Sequence, residues 1–551
     1  MERFLNAALA AWIVTACACS PDHSSSPADS DGIPYTGVVY DDANANGVRD
    51  AEERGLAGAR VSNGRDVVST DSQGRYRLPI EDDDAVFVIK PSGWQVPLHP
   101  GTHVPLHYYL HKPRGSPDSR FPGVDPTGPL PVSLDFGLRV HPEPNVFRII
   151  CFGDTQPRDQ KEVDYISHDV VEELVGVEAA FGVTLGDLVF DDLAMLPEVV
   201  GSVGMIGIPW HHVIGNHDVN RDALAQDFFD DTYERILGPS TYSFDYADVH
   251  FIVLNDIVWE IGKGSYHAEL TEEQLTFLDN DLHFVPREKL VVLMMHIPLT
   301  EVVNKDELLR LLASHPQTLS ISAHWHVQEH LFLDTGIADA DPHHHIVMGT
   351  ACGGWWRGQP DELGIPHAVM PDGTPNGYSI VQFDGNEYSV RYKVARRPAD
   401  YQMNVFAPDV VAPSEVAHTE VIVNFFAGSE RCLLELRLDE GDWVAMERFE
   451  GRDPGLERLK EREALLAARI LAERHPDGVP AEASIEAVVS EYSDLLGLEL
   501  PDLYDTKHLW KANIPQSAAA GYHLIHVRAT DQFGQVHHGR RVIRVRAEVV
   551  H

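Results

Sequence analysis

Five times between residues 145 and 395, an apolar, strand-like run stops and polar, ligand-type residues follow at once. The segments are "FRIICFGDTQ", "FGVTLGDLVFDD", "IPWHHVIGNHD", "KLVVLMMHIP" and "TLSISAHWH". In an open α/β sheet the turns after the strands converge on one edge, so each segment delivers its residues to a common place. Those residues are Asp154 and Gln156, Asp187, Asn216 and His217, His296, and His324 with His326. A lone Gly-Asp pair is usually a turn, and a lone His on an apolar strand is usually a hydrogen-bonded core residue. Five such ends in order, alternating with helical stretches, predict an α/β domain over 145–395 with one polar site at a sheet edge.

The flanks read differently. Over 34–140 short strands ("YTGVVY", "ARVSNG", "DVVSTD", "GRYRLPI", "DAVFVIKP") lie between turn residues, which predicts a β-sandwich. Its first loop, "DDANANGVRDAEE", has calcium-loop spacing: Asp42, Asn44, Asn46, Gly47 at the bend, Asp50, and Glu53 at the twelfth place. Alternating oxygen ligands can wrap a hard cation; the alternative is a plain acidic turn, and no EF-type helices flank it. Over 400–551 strands return ("TEVIVNFF", "CLLELRL", "YHLIHVRATD", "RRVIRVRA") around helical stretches at "GLERLKEREALLAARILAERH" and "AEASIEAVVSEYSDLL". This predicts a C-terminal β-domain with a helical insertion.

The first 19 residues, "MERFLNAALAAWIVTACAC", combine one Arg with an apolar run too short to span a bilayer, as in an export signal. "VTAC" looks like a lipobox, which would leave Cys17 lipidated; the alternative is ordinary secretory cleavage near Ala18. Residues 20–33 form a polar Ser/Pro/Asp tether. The expectation is an exported protein, either a membrane-anchored lipoprotein at the cell surface or in the periplasm, or a secreted one. Any membrane attachment would be through the lipid anchor only. Cys151, Cys352 and Cys432 are far apart and odd in number, which does not support a disulfide framework. A formal net charge of −42 would repel a phosphate backbone and argues against a nucleic-acid partner.

The five central blocks resemble those of calcineurin-like metallophosphoesterases, which run Asp-x-His, Gly-Asp, Gly-Asn-His-Asp/Glu, His and Gly-His-x-His in this order. Two departures stand out: Gln156 for the His, and Ala323 for the Gly before His324. "YSFDYADVHFIVLND", "GGWWRG", "DGTPNGY", "HLWKANIP" and "VRATDQFGQ" are similar to a bacterial subgroup with β-domains on both sides of the core. "GLAGARV" and "TDSQGRYRL" resemble prealbumin-like surface modules.

The resemblance implies a two-sheet α/β sandwich holding two divalent or trivalent ions (Fe, Mn, Mg or Zn), with a structural Ca2+ in the N-terminal loop as a further candidate. One ion would take Asp154, Gln156, Asp187 and His326; the other Asp187, Asn216, His296 and His324. Asp187 would bridge them, a hydroxide between the metals would attack phosphorus, and His217, oriented by Asp218, would serve the departing oxygen. Gln156 can offer only a carbonyl oxygen, a harder ligand that should turn its position away from zinc.

Asp191 and Asp192 either orient ligands or cap the next helix, while His211 and His212 suit strand packing. His343 to His345, Trp355, Trp356, His367 and Tyr378 lie in Gly- and Pro-rich stretches and either touch a ligand or pack between domains. The expected substrate is a phosphoester, a diester before a monoester, in a small molecule, lipid headgroup or surface polymer. The competing readings are a phosphomonoesterase or nucleotidase, and a non-catalytic, calcium-stiffened surface-binding protein with a degenerate core.

Overall fold

The computed structural model describes residues 34–336, 341–480, 483–515 and 517–546. The signal, the tether and Cys17 lie outside the described residues.

The middle of the chain builds two sheets packed face to face. In the first, Val146–Phe152, Phe181–Leu185 and Trp210–Val213 run parallel, and Gly377–Asp384 and Glu387–Val394 extend the sheet antiparallel. In the second, Val249–Val253, Leu290–Met294, Thr318–Ser322 and His343–Val347 run parallel, with Tyr242–Tyr246 and Glu329–Leu333 antiparallel at the two edges. Most of these strands are buried along their length, as parallel strands covered on both faces must be. Helices Gln160–Ile166, Leu196–Gly204, Glu272–Leu282 and Lys305–Leu312 cover them. The fold is thus a two-sheet α/β sandwich, and three strand ends from one sheet meet two from the other.

On the N-terminal side two four-stranded sheets form a sandwich around Val39, Val61, Leu78, Val86, Val88 and Leu138. It leans on the central domain: Phe87, Ile89 and Val104 join the central core, and Lys112 Nζ reaches Asp231 Oδ1 at 2.7 Å. On the C-terminal side a four-stranded and a five-stranded sheet enclose Val423, Phe425, Leu436, Trp510, Val527 and Ile543. Between the strands Glu447–Gly451 and Thr506–Asn513 stands the helical insertion. Its long helix, Pro454–Arg474, starts with Pro at its first position and with Asp453 accepting from Leu456 N (2.7 Å), both standard start signals. Among the described residues no helix is long and apolar enough to cross a membrane. Cys151, Cys352 and Cys432 are free thiols.

Two expectations about side chains change here, and one holds. His343 to His345 are not on a loop; they form a buried strand whose rings bond to Thr318, Ser320, Ser322 and Tyr388. Tyr378 is buried in the central core. His211 and His212 are strand residues as expected, His211 stacking on Phe244 at 4.1 Å.

Candidate metal centre

The five parallel strand ends converge on one pocket. Asp154 and His296 are fully buried, and Gln156, Asp187, Asn216 and His326 nearly so. Asp187, from the end of Phe181–Leu185, sits at the centre. Its Oδ1 lies 3.3 Å from His296 Nε2 and accepts from His217 N (2.9 Å), while Oδ2 accepts from Gln156 Nε2 (3.3 Å). His296 Nε2 also lies 3.1 Å from Asn216 Oδ1 and 3.2 Å from His324 Nδ1. On the other flank His326 Nε2 lies 3.7 Å from Asp154 Oδ2. All seven residues assigned to metals by the resemblance therefore share one pocket.

Backbone carbonyls set which ring nitrogen faces inward. His296 Nδ1 donates to Leu185 O (2.7 Å) and His326 Nδ1 to Gly353 O (2.7 Å), so both rings turn Nε2 into the pocket. The close approach demands glycine at the turns. A Cβ at Gly215 would lie 2.1 Å from Asp187 N, and one at Gly186 2.3 Å from His296 Nδ1. It also forces non-glycine residues into the left-handed region: Gln156 (φ +38°), Asp187 (+48°), Asp191 (+67°), His324 (+67°) and His326 (+54°). Each such residue costs on the order of 1–3 kcal/mol, which the surrounding core offsets. Strain concentrated on five site residues is what a preorganised centre requires.

Two tests on the side chains ask whether metal fits. Asp154 Oδ1 and Gln156 Oε1 are buried without a hydrogen-bond partner, an arrangement that is costly unless something cationic meets them. The electrostatics agree. Burial, opposed by the His296 ring, pushes the Asp154 carboxyl up to about 8. Burial disfavours charge on His296, yet Asp187, Asp154 and Asp256 override it and raise that ring to about 10. Burial lowers His324 to about 3 and His326 to about 4, keeping both as neutral lone-pair donors. Ligand atoms of Asp187, His296 and His324 all lie within 4.8 Å of one another, the one such His/Cys/Asp/Glu group among the described residues. Carboxylate, imidazole and amide oxygen together suit Fe, Mn, Zn or Mg.

The partner of His217 needs correction. Asp218 cannot orient it, because the Asp218 carboxylate accepts the backbone N–H groups of Leu188 (3.1 Å), Val189 (3.1 Å) and Gly215 (2.9 Å). Asp218 instead ties the Asp187 turn to the Asn216 turn. His217 Nδ1 donates to Asp191 Oδ1 (2.5 Å), and Phe190 stacks on the ring at 4.7 Å. Its other nitrogen, Nε2, lies 4.0 Å from Asp187 Oδ2. Burial opposes a charge on His217, but Asp187 and Asp191 outweigh it and raise its pKa. Asp192 does the other job, accepting from Ala194 N (3.3 Å) at the start of a short helical turn.

Other contributors were not foreseen. Asp256 accepts Ile297 N (2.9 Å) beneath His296; a carboxylate immediately after the strand in "VHFIVLND" was the available signal. Asp372 Oδ2 accepts Gln328 N (2.8 Å), two residues past His326, and lies 3.1 Å from His508 Nε2 of the C-terminal domain. Trp355 (37% exposed) tilts over His326 at 4.6 Å, and Tyr266 meets His324 edge-on at 6.0 Å. Trp356 is buried and donates to Thr155 O (2.9 Å), whereas His367 is exposed. Of the two Trp, only Trp355 is placed to touch a ligand.

A sandwich whose strand ends gather carboxylates, imidazoles and one oriented His defines a hydrolytic metal centre. Residues 43–122 match the family model for the N-terminal region of calcineurin-like phosphoesterases, and residues 345–482 the model for their C-terminal region. Both regions thus match calcineurin-like phosphoesterases, and with the metal centre between them they support a metal-dependent phosphoric ester hydrolase. Among solved structures, it is similar to a purple acid phosphatase from yellow lupin (Lupinus luteus) seeds at 12% identity. That match covers 66% of this chain and 67% of that one, with a TM-score of 0.34. No curated protein matches significantly.

Proposed function

We propose that the enzyme cleaves phosphodiesters and works outside the cytoplasm. The observation that carries the diester reading is the state of the nearby arginines. A monoester dianion calls for cations free to clamp it. Arg221, the cation beside His217, is committed to both oxygens of Asp191 and lies 5.6 Å from the Trp259 ring. Arg158 is committed to Glu162. A rim of Trp355 and Tyr266 suits a substrate with an apolar or ring-bearing second substituent.

Asp154, Gln156, Asp187 and His326 would hold one ion, and Asp187, Asn216, His296 and His324 the other. Bound ions supply Lewis-acid polarisation of the phosphoryl group and an activated water. The protein's own share is orientation and proton handling. His217, fixed through Nδ1 by Asp191, turns Nε2 to the pocket and serves the departing oxygen. Gln156 leaves one position with an oxygen ligand, which favours iron, manganese or magnesium over zinc there. A Gln156→His variant should gain zinc, measured by metal analysis after reconstitution; unchanged zinc would count against it.

The location rests on the N-terminal sequence alone, with Cys17 as the lipid acceptor. Metabolic labelling with a fatty acid, lost in Cys17→Ser, tests it. Calcium at Asp42, Asn44, Asn46, Asp50 and Glu53 is supported by the spacing and by Glu53 Oε1, which is buried without a partner. For the reaction, chromogenic diester and monoester turnover is compared beside Asp187→Asn. A faster monoester would replace the diester reading; wild-type rates no higher than the variant's would remove both.

A further inference from the structure

We propose that the outer face of the C-terminal five-stranded sheet docks on an anionic lipid bilayer. The strands Leu433–Leu438, Gly521–Thr530 and Val536–Val545 pair in an antiparallel register that brings three arginines and two histidines into adjacent cross-strand rows. Arg437, His526 and Arg540 stand in one cross-strand row; Glu435, Arg528 and His538 form the next. Neighbouring strands are about 4.8 Å apart, so Arg437 and Arg540 stand about 10 Å from one another across the strand that carries His526. The inward residues between them (Leu436, Val527, Ile543) make the core without any need for arginine outside.

Internal compensation is thin. Arg528 pairs with Glu435 (2.9 Å), Arg437 meets only the exposed Glu440 at 3.9 Å, and Arg437 and Arg528 both lie over the Trp443 ring, at 4.8 and 4.6 Å. Among the described residues Arg540 and Arg544 have no side-chain ion pair, and Nε of Arg437 and of Arg544 is buried without a partner. In a chain of net charge −42, this concentration of cations on one face faces the opposite way to the rest of the electrostatics. Charge complementarity therefore asks for an anionic partner.

The apolar component selects which one. Tyr522 (73% exposed), Val542 (57%) and Leu433 (54%) project from the same face. Aliphatic side chains interleaved with arginines and ringed by Tyr and Trp match a headgroup-and-acyl boundary, where the chains enter and the cations meet lipid phosphates. A linear polyanion would use the arginines and leave the aliphatics in water. A second copy placed symmetrically would set a face rich in arginine against itself.

The test uses the full chain carrying Cys17→Ser, so that no acyl group is attached there. It is sedimented with phosphatidylcholine vesicles and with vesicles in which phosphatidylglycerol replaces part of the phosphatidylcholine. Partition should be higher on the anionic vesicles and fall with salt. Replacing Arg437→Gln and Arg540→Gln together should lower it roughly 30-fold, the combined loss of two interfacial cations. Tyr522→Ser with Val542→Ser should lower the part that survives high salt. Hydrolysis of a small soluble ester by these variants should match wild type and so report an intact fold. No preference for anionic vesicles at low salt would overturn the proposal, as would arginine variants that partition like wild type. Retention on dextran sulfate without vesicle binding would also overturn it, and would mark a linear polyanion as the partner.

Discussion

The centre at the strand ends and the loop at 42–53 are both rich in oxygen ligands, yet they are built in opposite ways. In the loop, local geometry satisfies most of the oxygens. Asp42 accepts from Asn46 N (3.1 Å) and Gly47 N (3.0 Å), and Asp50 Oδ2 accepts from the amides of Asn44 and Asn46. At the centre, residues from five separate strands meet, five backbones are strained, and two buried oxygens stay unpartnered. A third cluster gives the contrast its meaning. Asp245 and Asp281 are as buried as the site carboxylates, but Arg60, Lys289 and His250 supply their cations. Three cations hold Asp245 and Asp281 low; at the centre burial opposes charge on Asp187 but the His296 ring holds it low, while Asp154 is pushed up and keeps Oδ1 unpartnered.

The sharpest way to break this comparison is at Asp187. Asp187→Asn should abolish metal retention and hydrolysis together, whereas Glu53→Gln in the loop should leave turnover unchanged. Next comes His217→Ala, expected to reduce kcat by about 10²–10⁴-fold with metal content intact. Asp191→Asn should cost less, about 10–100-fold, because it frees the ring without removing it. Asp218→Asn separates the two carboxylates: it should impair metal retention through the turns it ties, not the proton step alone. Equal effects of Asp191→Asn and Asp218→Asn on kcat, with metal intact in both, would defeat the assignment.

How much of this the sequence shows depends on distance along the chain. Strand ends were legible, because an apolar run followed by a ligand residue is a local pattern, and their convergence follows from parallel strands. The partner of His217 was not. Asp218 is adjacent in sequence and Asp191 lies 26 positions away, and only the left-handed turn at Asp191 (φ +67°) brings the distant one in. His343 to His345 were misplaced for a related reason. Three polar residues in a row look like loop, but Thr318, Ser320 and Ser322 on the neighbouring strand satisfy His343 and His345 inside the sheet, and Tyr388 and His330 meet His344 on its other face. The grip of Asp372 on Gln328 was invisible too, since it is completed by His508 from another domain.

The loop and the Asp372 contact give effects of intermediate size. Saturating calcium should stabilise the N-terminal sandwich by about 2.7 kcal/mol at a hundredfold excess over Kd, read as a rise in its melting temperature. Asp42→Ala should remove that rise; a wild-type protein indifferent to calcium would reduce the loop to an acidic turn. Asp372→Asn should weaken metal binding about tenfold and His508→Ala should do the same, since both loosen the backbone after His326. A loss of stability with unchanged metal affinity would make the contact purely a domain interface.

The smallest effect is a slope with pH, at the self-neutralised cluster. Burial disfavours charge on His250, but Asp281 and Asp245 outweigh it and raise its pKa. A raised histidine contributes fully below its unfolded value of about 6.5, and that contribution fades as pH climbs through the folded value. Asp245 and Asp281 are lowered: burial opposes this, and His250 and Arg60 prevail. Their contribution is present above about pH 4 and is lost as pH falls below it. The cluster therefore supports the fold best between about pH 4 and 6.5. His250→Gln should lower stability most within that window, with the gap to wild type closing as pH rises through the raised folded value, read in denaturant melts. Because Ser243, Arg60 and Lys289 also face these carboxylates, the variant keeps two cations against two anions and should still fold. A gap that stays constant with pH would mean that His250 acts through packing, and that the contrast with the metal centre is not one of cation supply.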